Sequence, residues 1–330
     1  MRLLVLGGTH HVGRAVVETA LARGDEVVTL NRGRTGSDVP GAEVRHADRL
    51  DPDAVAGALG DDSFDAVVDT WSGAPVAVRD AARVLSGRAG HYTYVSSRSV
   101  YTWPPASGVD ESAPVVEGDP DSAESADYAA AKRGGEVAVL QEFDGPVMCA
   151  RAGLVLGPYE QVGRMPFWLR RIAAGGRVPA PGPHDRPLQL IDARDLAQWV
   201  LDHRPVGVFN TVSRPGHTTI GALLEECVRV TGSDAELVWL SPEVVEAAGV
   251  QPWTELPVWV PPTGEYAALH DADVTAAYAA GLVCRPVAET VGDTWSWLQR
   301  EGAPEQPPGR PRSGMDAAAE ERLWEAAGLA

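Results

Sequence analysis

Residues 1–34 constrain the fold more than any other stretch. Arg2 to Leu6 is a short apolar run that stops at Gly7 and Gly8. From Val12 to Leu21 the apolar positions move to helical spacing until Gly24, and Val27 to Leu30 is a second apolar run. A strand, a glycine turn, a helix and a parallel strand leave backbone N–H groups unpaired at the start of the helix, where the helix dipole also favours negative charge. That is a cradle for a diphosphate. Gly7 allows the sharp turn, Gly13 lets the helix approach the strand, and Thr9, His10, His11 and Val12 supply the backbone between them. His10 stands where the middle glycine of the usual spacing belongs, so the pattern reads Gly7-x-x-His10-x-x-Gly13.

The 330-residue chain has 44% hydrophobic content, enough for one large domain or a large and a small one. Its net charge of -18 excludes a broad nucleic-acid surface, which needs a basic face. No apolar run approaches the roughly 20 residues of a membrane span, and the first is too short for a signal peptide, so a cytoplasmic protein is expected. Cys149, Cys227 and Cys284 are widely spaced and lack C-x-x-C or histidine companions, which points away from disulfides and from a metal site. Of the 28 basic residues, all but Lys132 are arginine. A single lysine in such a chain marks a position where a compact ammonium is needed and a planar guanidinium will not serve.

Beyond the second strand, Asn31-Arg32-Gly33-Arg34 lacks the acid that many NAD-preferring folds place against the ribose hydroxyls. Arg32 and Arg34 suit a 2'-phosphate, so NADP is expected ahead of NAD. A third strand, Val44 to Ala47, ends in Asp48-Arg49 near the adenine edge, and a helix follows from Asp53 to Leu59. The strand 64–69 carries Thr70 and Ser72 at its carboxyl end, where open parallel sheets bind their ligands. A helix from about Pro75 to Leu85 precedes the strand His91 to Val95, which runs into Ser96-Ser97-Arg98-Ser99-Val100-Tyr101. Residues 104–124 form a long loop of the kind that shapes a site. Ser125 to Leu140 is helical, capped by Ser125 or Asp127, and puts Tyr128 and Lys132 on one face.

A sixth strand, Val147 to Arg151, completes a dinucleotide-binding domain over 1–158, to which residues 188–212 return. Residues 159–187 and 213–300 make a smaller substrate lobe. Residues 301–330 hold a linker with Pro304, Pro307, Pro308 and Pro311, then a terminal helix from Met315 to Ala327.

These motifs together resemble the extended short-chain dehydrogenase/reductase superfamily, the NAD-dependent epimerase/dehydratase group. The resemblance rests on five signposts in order: Gly-Gly-Thr-x-x-Val-Gly at 7–13, Ser-Ser-x-x-Val-Tyr at 96–101, Tyr-x-x-x-Lys at 128–132, Arg-x-Gly-x-x-x-Gly-Pro at 151–158 and Ile-Asp-x-Arg-Asp-Leu-Ala at 191–197. It implies an α/β fold, a doubly wound parallel (Rossmann) sheet of about seven strands with a smaller, mostly helical C-terminal lobe. It also implies that Ser97, Tyr128 and Lys132 are catalytic and that Arg151 and Lys132 belong to the cofactor set. The chemistry agrees: moving hydride at a carbinol carbon needs a proton moved at its oxygen, a task for Tyr128. An adjacent ammonium favours the ionised phenol, and Ser97 can polarise the carbonyl.

Departures narrow the reading. His10 replaces a glycine and Ala152 a proline. Arg98-Ser99 stands where sugar dehydratases carry an acid pair, so dehydration is not expected. Leu188 occupies the position of the diphosphate-binding arginine of nucleotide-sugar epimerases, with Arg186 close by but out of register. The expected activity is therefore an NAD(P)-dependent reductase or dehydrogenase of a carbonyl or secondary alcohol. A nucleotide-sugar epimerase that retains NAD, and a non-catalytic cofactor sensor or RNA-associated protein, are the alternatives.

Arg164, Arg170, Arg171, Arg177 and Arg186 fall in a stretch whose only acid is Asp185. If residues 165–174 are helical, Arg164, Phe167, Trp168 and Arg171 share a side that could stack a ring and pair an anion. A small-molecule substrate of that kind, meeting Tyr101, Trp103, Arg164, Trp168 and Arg186 beside Ser97, is the expectation. A homodimer through the helices near 75–85 and 125–140 would bury Val76, Val84, Leu85, Val137, Val139 and Leu140.

Overall fold

β1 (Arg2–Leu6) is apolar on both faces, which a strand tolerates when helices cover the sheet on both sides. Leu3 and Val5 enter one core and Leu4 and Leu6 the other, all four buried. In the computed structural model, which describes residues 1–34, 36–303 and 313–330, this strand lies inside a seven-stranded sheet. The other strands are β2 (Glu26–Asn31), β3 (Glu43–His46), β4 (Ala66–Asp69), β5 (Tyr92–Ser97), β6 (Val147–Ala152) and the strand Gly207–Thr211. From one edge the order is Gly207–Thr211, β6, β5, β4, β1, β2, β3, with every pairing parallel.

Parallel neighbours require crossovers. These include α1 (His11–Ala22), α2 (Pro52–Leu59), α3 (Val76–Leu85) and α4 (Tyr128–Glu142); α5 (Arg164–Ala173), α6 (Ala193–Asp202) and α7 (Ile220–Thr231) follow. α1 and α6 cover one face around Val16, Val17, Leu196 and Trp199. α2, α3 and α4 cover the other around Leu59, Leu85, Tyr92 and Val139. The fold is thus the expected doubly wound one. Because the chain runs from β1 out to β3 and then returns to β4 on the other side of β1, the carboxyl ends of β1 and β4 border an open crevice, the place where such sheets bind ligands.

The lobe has its own core, which includes Leu156, Met165, Leu169, Ile172 and Leu224. It is helical as expected, and it also contains a parallel strand pair, Arg177–Pro181 with Glu236–Leu240, that period reading missed because neither strand alternates cleanly. The terminal helix is Ala317–Ala326 and buries Ala319 and Leu323 in that core. The proline linker at 304–312 lies outside the described residues. Among the described residues no helix is long and apolar enough to cross a membrane.

Two expectations on the α3 and α4 side change. α4 begins at Tyr128, not Ser125, because Asp127 is its cap and accepts from the N–H of Ala129 at 2.9 Å and Ala130 at 3.1 Å. Of the apolar residues assigned to a dimer face, Leu85 and Val139 are wholly buried in the chain's own core, since α3 and α4 pack on the sheet through them. Leu140 is exposed, beside an Arg83–Glu142 pair bonded twice at 2.8 Å.

Candidate active site

The turn after β1 needs its glycines. Gly7 and Gly8 have φ of 124° and 104°, and a Cβ on Gly7 would stand 2.5 Å from Thr70 Oγ1. A Cβ on Gly13 would stand 2.8 Å from Gly8 N, so the close approach of α1 depends on that glycine too. His10 needs no such freedom: at φ -139° it is ordinary extended backbone, which is why a histidine replaces the glycine there. Its ring sits between Gly36 and Gln161, whose Nε2 lies 2.6 Å from His10 Nδ1, and so ties the loop after β2 to the one after residue 158. α1 has no side-chain cap and no acid in its first turn. Its leading N–H groups, with those of Thr9 and Val12 beside them, therefore remain for an anion. His11 offers only backbone here; its buried ring, with Nε2 unpartnered, is pushed down to about 4 by burial.

At the end of β2, Asn31 accepts from Gly33 N at 2.7 Å and donates to Asp38 at 2.9 Å. Arg32 and Arg34 are exposed. Asp48 accepts from Leu50 N at 3.1 Å. Thr70 caps the end of β1 by donating to Leu6 O at 3.1 Å, and Ser72 is exposed at the crevice.

Lys132, one turn along α4 from Tyr128, is buried. Its Nζ donates to Trp71 O at 2.5 Å and Val95 O at 2.7 Å, and lies 4.9 Å from the Tyr94 ring centroid. The lysine thus spans the carboxyl ends of β4 and β5. An ammonium has three donors, so one is left for a ligand. Burial pulls Lys132 down to about 8, against the opposing pull of Asp69 and Glu136. Tyr128, at the first position of α4, is half-exposed. Ser97 ends β5, and its Oγ accepts from Ser99 N at 3.1 Å.

Two expected cofactor ligands are committed elsewhere. Arg49 is buried and forks onto Asp69 at 2.9 and 3.1 Å, with Ala77 O as a third acceptor. Asp69 also accepts from Tyr92 Oη at 2.7 Å; burial alone would raise its pKa, but Arg49 holds it below the usual range. Arg151 is buried and forks onto Glu136 with both bonds at 2.9 Å. Glu136 in turn accepts from Ser96 Oγ at 2.7 Å. Both arginines brace the floor of the crevice through these carboxylates. Neither carboxylate was singled out from sequence, although Glu136 sits four residues after Lys132 on the same helix face.

The expected substrate cluster divides. Tyr101 is buried and donates to Asn210 Oδ1 at 2.7 Å. Trp168 is wholly buried in the lobe and donates to Pro257 O at 2.7 Å, so it cannot stack a ligand. Arg164 lies 5.2 Å from the Trp253 centroid and 3.4 Å from Glu160. Arg171 pairs with Glu320, and Arg177 covers Trp324, so both hold the terminal helix. Trp103 is exposed and donates to Glu265 at 2.7 Å. Arg186 donates to the carbonyls of Pro261, Tyr266 and Ala267 at 3.2 to 3.4 Å. Residues 164–173 are helical, and the stripe they bury is Met165, Trp168, Leu169 and Ile172, while Arg164, Phe167 and Arg171 lie half-buried beside it.

The NAD dependent epimerase/dehydratase family matches residues 3–203, which include the cradle, Ser97, Tyr128 and Lys132. The chain belongs to that family. Among solved structures, WbmH of Bordetella bronchiseptica in complex with NAD+ is similar at TM-score 0.67 and 18% identity, over 91% of this chain and 99% of that one. WbmG of the same organism, in complex with NAD and UDP, is similar at TM-score 0.67 and 18% identity, over 93% and 99%. The UDP-glucose 4-epimerase of Thermotoga maritima with UDP-glucose is similar at TM-score 0.64 and 18% identity, over 91% and 99%. At such identities the likeness is one of fold. No curated protein matches the chain.

Proposed function

We propose that this protein is an NAD-dependent oxidoreductase that transfers hydride at a secondary alcohol or carbonyl carbon, with Tyr128 moving the proton at its oxygen. The observation that carries the reading is Lys132: the chain's single lysine, buried at the carboxyl ends of β4 and β5, fixed by two carbonyls with a third donor free, one helical turn from Tyr128. NAD, when bound, accepts or returns the hydride. The cradle fits its diphosphate, because Gly7, Gly8 and Gly13 leave no side chain in the way and the start of α1 is uncapped. In this reading Lys132 holds ribose hydroxyls and supplies positive charge beside the Tyr128 oxygen. Ser97 donates to the substrate oxygen and orients it.

The NADP preference expected from Arg32 and Arg34 is replaced here by NAD. Both arginines are exposed, whereas Asp38 brings a carboxylate to Asn31 at the ribose end of β2, where it would repel a second phosphate. NAD is also what the similar WbmH and WbmG structures carry.

A second reading, epimerisation of a nucleotide sugar, is favoured by the family and by the UDP in WbmG. It differs in returning the hydride to the same substrate.

The test is to identify the nucleotide released on denaturing the purified protein and to assay Tyr128→Phe. Turnover should fall by at least about a hundredfold with NAD affinity preserved. NAD held through purification favours the epimerase, and freely exchanging NAD the dehydrogenase. Undiminished turnover in the variant removes the proposed role of Tyr128.

A further inference from the structure

Asp69 closes β4 and is wholly buried, with every bond it accepts coming from a different direction. Its Oδ1 accepts from Arg49 at 3.1 Å and from the N–H of Trp71 at 2.9 Å, and its Oδ2 accepts from Arg49 at 2.9 Å and from Tyr92 Oη at 2.7 Å. The bond to Trp71 N, two residues along, is an Asx turn, in which the side chain does what a backbone carbonyl would do and bends the chain out of the strand. A buried ion pair gains little over an apolar pair of the same volume, so the use of Arg49 and Asp69 is to be sought in what they orient.

They orient Trp71. Its N–H is on Asp69, its Nε1 donates to Ala74 O at 2.8 Å, and its ring centroid lies 5.3 Å from Arg49 Cζ. A Cβ on Gly73 would stand 2.9 Å from that ring, so the chain is closely packed on this side as well. The group left over is the Trp71 carbonyl, which accepts from Lys132 Nζ at 2.5 Å and from Tyr94 Oη at 3.3 Å. The other acceptor of Lys132, Val95 O at 2.7 Å, belongs to β5 and is fixed by the sheet, where Val95 pairs with Ala150 of β6. Trp71 O lies two residues past the end of β4, so its place depends on the turn. An ammonium has three donors in fixed relation, and two fixed acceptors therefore set the direction of the third.

We propose that Asp69, paired with Arg49, is a positioning residue for Lys132: its Asx turn fixes Trp71 O, and Trp71 O aims the free N–H bond of the ammonium into the crevice. This rests on the reading of Lys132 as the group that holds the ribose hydroxyls. Asp69 itself touches neither cofactor nor substrate and acts through the main chain of Trp71. Two substitutions separate its turn from its charge. Asp69→Glu keeps a carboxylate for Arg49, but the longer side chain does not close the turn onto Trp71 N. Asp69→Asn keeps the acceptor of the turn and loses the charge. If Asp69 served only to neutralise Arg49, Asp69→Asn would be the more damaging of the two; the positioning role reverses that order at Lys132.

The single lysine makes the experiment direct, because protein grown with lysine carrying 13C at Cε shows Lys132 alone in its NMR spectrum. A fixed ammonium keeps the two Hε protons in different surroundings. Their shifts should be separate in the wild type and in Asp69→Asn, and should merge in Asp69→Glu. NAD should bind Asp69→Glu about fivefold or more weakly than it binds Asp69→Asn, the loss expected for one misdirected hydrogen bond. If either variant does not fold, Arg49→Met/Asp69→Asn and Arg49→Met/Asp69→Val repeat the contrast without the buried charge, with merged shifts expected only in the second. Merged shifts in the wild type, shifts that stay apart when the turn is removed, or a loss in Asp69→Asn as great as in Asp69→Glu overturn the proposal. The spectrum of the nucleotide-free protein tests the turn, and its change on adding NAD tests Lys132 as a ligand, so the two readings fail separately.

Discussion

Lys132 is the residue whose charge is hardest to keep, because burial lowers it to about 8 from an ordinary 10.5. For a cation with a depressed folded pKa, the penalty is fully present below the folded value. It disappears as pH rises through the unfolded one, since over that window the unfolded chain binds more protons. The stability difference between wild type and Lys132→Met should therefore move in favour of wild type from pH 7.5 to 10.5, by on the order of 3 kcal/mol. The comparison isolates the titration, because the unpaired carbonyls of Trp71 and Val95 in the variant cost the same at every pH. Urea unfolding across that range checks it, and a flat difference would mean that the ammonium is not desolvated. Lys132→Arg should lower turnover about a hundredfold, because a longer planar group does not fit between two carbonyls at 2.5 and 2.7 Å. The single lysine of the chain and the Tyr-x-x-x-Lys spacing both pointed to this site. The sequence could not show that two carbonyls, Trp71 O and Val95 O, hold the ammonium, because those come from β5 and the turn after β4.

At the scale of elements, α4 delivers both Tyr128 and Lys132, and Glu136 fastens it. One carboxylate joins α4 to β6 through Arg151 and to β5 through Ser96, the residue before Ser97. Burial alone would raise Glu136, but its bonds to Arg151 keep it below the usual carboxylate range, so it stays ionised. Glu136→Gln leaves Arg151 buried without a counter-charge and should cost about 3 kcal/mol or more. It should also lower kcat more than it changes NAD affinity, because α4 shifts against β5 while the cradle at α1 is untouched. Equal loss in both would make Glu136 a residue of general stability only. Strand ends, helix faces and caps were legible here, including the placing of Lys132. The roles of Arg49 and Arg151 were not, because each is decided by a carboxylate from another element, Asp69 on β4 and Glu136 on α4.

For the whole molecule, the doubly wound sheet was legible because its signals are local: strand runs, glycine turns and helical spacing recur in order from Arg2 to Arg151. The lobe was less so, since it is assembled from pieces far apart in the chain, and its arginines were read as a substrate mouth when several of them serve packing. Arg171 pairs with Glu320, Arg177 lies over Trp324, and Met315, Ala319 and Leu323 enter the lobe core. Each large apolar side chain so buried contributes about 1.5 to 3 kcal/mol. Deleting residues 313–330 should accordingly lower the melting temperature by roughly 5 to 10 °C. It should weaken substrate binding while sparing NAD, because the helix packs on the lobe through Ala319, Leu323 and Glu320, and the cradle lies between β1 and α1. Calorimetry paired with NAD titration makes the measurement. A truncated protein that melts with the full chain would show that the helix is not part of the folding unit, and one that loses NAD as well would show that sheet and lobe fold as a single cooperative body.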